Sequence, residues 1–315
     1  MNRKAIIFGV KGYKLSQKEK FFLKKSRPWG IILFSRNIKN LSQLRKLVTD
    51  IKKIFSDKKY PILIDQEGGR VSRLNKIINL EIFSQYFFGN LYKKDKKLFY
   101  TIYQIYINKI CELLKNVGIN INTVPVLDVT RLNKPNFIAE RSFSSNQNLV
   151  SKLGKLCINL YQRNKIACVS KHIPGHGMTK LDSHFKTPIV DIDKKKLFNK
   201  DFKPFKICKT FFAMTAHVVY TKIDPTNTAT HSKIIINNII RKGINFNGLL
   251  ISDDISMKSL KYKIELNATK ALQSGCNLVL HCNGNLSEMT RLMKVIPKID
   301  NFTKKKTSQF YNFLG

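Results

Sequence analysis

Acidic residues are scarce in this 315-residue chain: 20 Asp and Glu stand against 57 Lys and Arg, a formal net charge of +37. Such an excess is the electrostatic mark of a polyanion binder, but the rest of that signature is missing. Only 11 of the basic residues are Arg. No Arg-rich block or aromatic-interleaved tract occurs, and the lysines are spread through DKK, YKKDKK, DKKK and TKKK along the whole chain. Asn and Ile are also abundant, as A/T-rich codons favour. The charge is therefore read as drift of a solvated surface, and no nucleic-acid partner is expected. The chain also lacks any run of the roughly 18–20 apolar residues that a membrane span needs. Its N-terminal apolar stretch covers only Ala5–Val10 and has no small-residue cleavage site. That stretch reads as a first strand rather than a signal peptide, and a cytoplasmic location is expected.

Cysteines number only six, and none forms a CxxC pair. Most lie in apolar contexts such as KIACVS and LVLHCN, so they read as reduced core residues and not as disulfides or zinc ligands. A GxGxxG phosphate loop is absent: the first strand runs into GVKGYKLS, a poor match. No Pro/Gly/Ser linker, composition shift or internal repeat divides the chain. One domain over residues 1–315 is expected, with the lysine-rich end from about 302 fraying. A hydrophobic content of 43% supplies an ample core.

What the chain does have is regular alternation. Eight short apolar runs are separated by amphipathic stretches: KAIIFGV, WGIILFS, YPILIDQ, INTVPVLDV, IACVSKH, FFAMTAHVVY, FNGLLISDD and CNLVLHCN. Near-continuous apolar strands belong to a parallel sheet covered on both faces. The intervening LSQLRKLVTDIKKIF, FYTIYQIYINKICELLKNV, NLVSKLGKLCINLYQ, HSKIIINNIIRKG and IELNATKALQSG carry apolar residues at helical spacing. The pattern predicts an α/β fold, a single (β/α)8 TIM-type barrel with its active site at the C-terminal face of the strands.

Polar residues cluster where those strands end. The third run leads to Asp65, Glu67, Arg70 and Arg73; the fourth to Asp128 and Arg141; the sixth to His217; the seventh to Ser252, Asp253 and Asp254. The fifth leads to Lys171 and His172, within a stretch, Lys171–His184, that holds three of the six histidines. A strand-end Asp is often only a helix cap, which would account for Asp128 and Asp254. Groups from five strands converging on one rim suit a polyhydroxyl or amide ligand, with Arg73, Arg141 and Lys171 as donors and Asp65 as acceptor. Asp253 stands where a carboxylate could act as a glycosidase nucleophile. Asp182 and His184 could supply the proton. Metal binding by His172, His176, Asp182 and His184 is the rival, but the spacing lacks HExxH and is broken by Pro and Gly.

DQEGGRVSR, VPVLDV, ERSF, KHIPGHG…DSH, MTAHVVY and ISDDISM occur in the order found in glycoside hydrolase family 3. The chain resembles that family's single-domain bacterial β-N-acetylglucosaminidases of peptidoglycan recycling, from about Lys4 to Asn285. The resemblance implies Asp253 as the nucleophile, His184 as general acid/base and Asp182 as its partner. It implies a terminal sugar held by Asp65, Arg73, Arg141, Lys171 and His172. The implied substrate is a muropeptide ending in GlcNAc linked to 1,6-anhydroMurNAc; no metal or organic cofactor is implied, and a monomer is expected. Two departures stand out. Family members read GHGDT where this chain reads GHGMT, so Met178 replaces an acid in the loop. The C-terminal end is also short, which would trim the last helix.

Overall fold

A computed structural model describes residues 2–131, 138–179 and 186–315. Eight parallel strands close into a barrel in sequence order: β1 (Lys4–Gly9), β2 (Pro28–Leu33), β3 (Ile62–Ile64), β4 (Ile121–Asn122), β5 (Ala167–Ile173), β6 (Phe212–Thr215), β7 (Leu249–Asp254) and β8 (Leu278–His281). Closure is made where Ile6, Ile7 and Phe8 of β1 pair with Val279, Leu280 and His281 of β8. Every strand coincides with one of the eight apolar runs to within a residue, so the expected (β/α)8 architecture is the observed one.

Helices cover the barrel because each has an apolar stripe and a start signal. In Leu41–Phe55 the buried residues are Leu44, Leu47, Val48 and Ile51, one face of a helix, and the Asn40 side chain caps it by accepting from Gln43 N. Ser16 and Glu19 form a reciprocal capping box on Gln17–Ser26. The HSKIIINNIIRKG stretch winds over Ile235–Gly243 in the wider π manner, still burying Ile235, Ile236, Ile239 and Ile240.

Two strands are shorter than their apolar runs. INTVPVLDV is a continuous strand only at Ile121–Asn122; Pro125, with no N–H to give a ladder, interrupts it, and Val126 beyond forms a single bridge to Lys171. FFAMTAHVVY leaves the barrel after Thr215, and Val219–Tyr220 joins a separate three-stranded sheet with Ile189–Val190 and Asp224–Thr228. The end from 302, expected to fray, is instead the helix Asn301–Leu314. Asp300 caps it, Lys304 and Lys305 face solvent, and Thr303, Thr307 and Phe310 are buried. Phe310 packs 5.3 Å from Phe212, and Thr307 accepts from the Trp29 indole at 2.9 Å. This helix thus seals the N-terminal end of the barrel. The lysine run had hidden a helix whose apolar face appears only every third or fourth residue.

Candidate active site

At the C-terminal mouth lies a cavity of about 180 Å³, lined by Asp65, Arg73, Thr123, Arg141, Lys171, His172, Asp253 and Asp254. All five residues expected to grip a sugar line it, together with the expected nucleophile. They reach it from the ends of β3, β4, β5 and β7, where side chains that would be costly inside the apolar barrel can pair with one another.

Asp65 is the hub. It accepts from Lys171 Nζ at 2.5 Å, Thr123 Oγ1 at 2.6 Å and Arg73 at 2.5 Å. Burial alone would raise its pKa, but Lys171 and Arg73 outweigh that and hold it well below the ordinary carboxylate value. Glu67 is its hidden counterpart. It accepts both Nε and a terminal nitrogen of Arg141 at 2.8 Å and faces Lys171 at 2.6 Å. Burial opposes its ionisation, and Arg141 and Lys171 overcome it, so its pKa too is lowered. The Glu67 side chain is 2% exposed and Arg141 12%. The bidentate pair therefore fixes the guanidinium plane while leaving one edge toward the cavity. Sequence placed Glu67 at the strand end without a role; its task is to aim Arg141 and Lys171.

His172 is oriented from behind. Its Nδ1 lies 2.7 Å from Asp128 Oδ2, and Asp128 also accepts the backbone N–H groups of His172 and of His176, the latter at 2.7 Å. A carboxylate only accepts, so Nδ1 carries the proton, and Nε2 faces Arg141 at 3.5 Å. Burial works against the Asp128 charge, and His172 with these hydrogen bonds lowers its pKa despite that. The reading of Asp128 as a mere helix cap is corrected: it is the clamp beneath the His172–His176 turn. Asp254 does serve locally, accepting from Ser256 N and Oγ at 3.0 and 2.8 Å.

Asp253 is the penultimate residue of β7, and its Oδ1 accepts from Asp254 N at 2.8 Å. Beside it His217 is buried, with Nε2 donating to the Asp254 carbonyl at 3.1 Å and Nδ1 accepting from Thr230 at 2.7 Å. Burial lowers the His217 pKa, with Asp253 pulling the other way, so a neutral ring sits next to the carboxylate. His176 is buried as well, its pKa pushed down to about 4 by burial and by His172. Met178 is half-buried against the hydrophobic core, where an acidic side chain would have no such contact to make. Arg70 is exposed and does not line the cavity. Asp182 and His184 lie outside the described residues. Among the described residues, no three His, Cys, Asp or Glu side chains converge as metal ligands.

The family model for the glycosyl hydrolase family 3 N-terminal domain matches residues 4–309. The β-hexosaminidase of Actinobacillus pleuropneumoniae serotype 3 is 33% identical over 286 residues, covering 88% of this chain and 81% of the relative. That of Psychromonas ingrahamii is 31% identical over 313 residues, covering 97% and 88%. The crystal structure of NagZ from Neisseria gonorrhoeae in complex with N-trifluoroacetyl-D-glucosamine superposes with a TM-score of 0.87 at 28% identity, covering all of this chain and 90% of that one. A matched family model across nearly the whole chain, and a barrel whose mouth carries a strand-end carboxylate amid fixed hydrogen-bond donors, place this chain in glycosyl hydrolase family 3.

Proposed function

We propose that the chain is a single-barrel, retaining exo-β-N-acetylglucosaminidase that removes a terminal GlcNAc from GlcNAc-1,6-anhydroMurNAc muropeptides. The observation that carries this reading is the sharing of one cavity by Asp253 and the Asp65, Arg73, Arg141, Lys171 and His172 cluster. Asp65, with its charge held by Lys171 and Arg73, accepts from sugar hydroxyls; Arg141 and Lys171 donate to them. In the first step the Asp253 carboxylate attacks the anomeric carbon, the glycosidic C–O bond breaks, and His184, kept in orientation by Asp182, protonates the departing oxygen. In the second step His184 takes a proton from water, whose oxygen displaces Asp253 from the sugar. Side chains supply both the nucleophile and the proton in this scheme, so it calls for no metal or organic cofactor. Work on cytoplasmic peptidoglycan fragments by a monomer is the setting that fits it.

An aryl N-acetyl-β-glucosaminide is the direct test. It is expected to be hydrolysed faster than the aryl glucoside and with undiminished rate after chelation. Asp253→Ala should reduce turnover by roughly three orders of magnitude or more; full activity in that variant would sink the assignment. Mass analysis of products from GlcNAc-anhydroMurNAc peptide tests the natural substrate.

A further inference from the structure

Outside the catalytic cavity the same face of the barrel carries a far larger groove, about 1270 Å³, between the loop after β1, the helix Leu41–Phe55 and the loop after β8. The two spaces share a wall: Cys282 lines the cavity, and the next residue, Asn283, lines the groove. Arg36 builds that wall. It donates to the carbonyls of Val10 and Cys282 and lies 4.9 Å over the ring of Phe34, itself a cavity residue. The groove is preformed. Asn37 Nδ2 holds the Val10 and Gly12 carbonyls at 3.0 Å, and Gln43 Nε2 holds that of Tyr13 at 2.6 Å.

Its charge is positive in excess, with five lysines against the carboxylates of Glu19 and Asp50. Lys11, Lys14, Lys18 and Lys39 line it, and among the described residues none of them has a carboxylate partner. The two acids in the groove are already committed: Glu19 accepts from Ser16 N, Ser16 Oγ and Lys11 N, while Asp50 pairs with Lys46 at 3.4 Å. Lys76 adds a further ammonium at the rim, bonding the Tyr13 hydroxyl at 3.0 Å, a contact that lowers the phenol's pKa. A concave surface of one sign concentrates ions of the other. The occupant is indicated by the donors. Among the described residues no arginine lines the groove, so it offers no planar fork for phosphate. It offers point-charge ammonium groups around an apolar floor of Leu47 and Leu286, which suits a flexible chain bearing separate carboxylates.

We propose that this groove binds a carboxylate-bearing peptide attached on the leaving-group side of the substrate. The proposal rests on the reading above that a terminal sugar enters the cavity, for then the remainder of the substrate must run out across this face. Peptide-bearing substrate gains affinity from the groove; a small neutral aglycone does not reach it.

The test is the triple variant Lys14→Glu, Lys18→Glu, Lys39→Glu, three exposed positions remote from the chemistry. Its kcat/KM on GlcNAc-anhydroMurNAc with an acidic peptide should fall about tenfold or more, through KM, while the rate on an aryl N-acetyl-β-glucosaminide changes less than about twofold. The wild-type preference for the peptide-bearing substrate should also shrink as salt is raised from about 50 to 500 mM. Equal effects on both substrates, or none on either, overturn the proposal. Calorimetric titration with the anhydroMurNAc peptide alone reads the groove without turnover: binding to wild type and not to the variant is expected, and no wild-type binding at about 1 mM overturns it. Failure to hydrolyse the aryl glycoside would refute the enzymatic reading, yet leave this titration to decide the groove.

Discussion

Asp201 is 1% exposed, and among the described residues neither of its carboxylate oxygens has a hydrogen-bond partner. It backs directly onto Gly175 in the His172–His176 turn: a Cβ added to Gly175 would stand 2.9 Å from the Asp201 Cβ. Burial, and then the like charge of Asp128, push its pKa up to about 8, against weaker opposition from Lys200 and Arg131. In the unfolded chain the same group ionises near its ordinary 3.8. Between these two values the folded state holds a proton that the unfolded state has lost, so stability must fall as pH rises and level off above about 8. The slope is about 1.4 kcal/mol per pH unit, giving a loss of about 2–3 kcal/mol from pH 5 to pH 7. Asp201→Asn keeps the shape and removes the ionisation. Guanidinium unfolding of both proteins at pH 5 and pH 7 measures the difference, in which other titrating groups cancel. The wild type should lose about 2–3 kcal/mol more than the variant. Parallel pH dependence of the two proteins would refute the claim that Asp201 is buried as a neutral acid.

Three further outcomes follow from the packing and the charge network. Lys171→Met leaves the Asp65 and Glu67 carboxylates facing each other without the ammonium between them, and denaturant melts at neutral pH should show a loss of about 3–5 kcal/mol; a variant as stable as wild type contradicts the hub. Asp128→Asn removes the charged acceptor for His172 Nδ1 and for the two backbone N–H groups, so kcat/KM on the aryl glycoside should drop roughly 10- to 100-fold. Unchanged kinetics would show that His172 needs no clamp. Phe310→Ala opens a hole against Phe212 at the barrel floor and should cost about 3–5 kcal/mol. A silent substitution there would mean that the terminal helix is not part of the packed fold.

Much of this protein is legible in one dimension. The eight barrel strands announce themselves because a strand covered on both faces is apolar throughout, and that run of Ile, Val and Leu survives a surface saturated with lysine. Strand ends are legible for the same reason: Asp65, Lys171, His172 and Asp253 are conspicuous as the first charged residues after a buried run. Caps such as Ser16–Glu19 and Asn40 also act over three residues and can be read locally.

Partnership is what the sequence left open. Glu67 and Arg141 are 74 residues apart, Asp128 and His172 are 44, and Lys171 lies 106 beyond Asp65. Only the side-by-side pairing of β3, β4 and β5 brings each pair together, and no local pattern separates a strand-end Asp that caps a turn, as Asp254 does, from one that clamps a histidine, as Asp128 does. The terminal helix shows the same limit: Lys304–Lys306 look like a solvated tail until Phe310 meets Phe212 across the barrel floor. Local chemistry determined the elements and the rim on which the polar groups stand. Tertiary structure decided which of those groups neutralise, orient or oppose one another, because a buried charge is tolerable only beside its partner, and its partner comes from another strand.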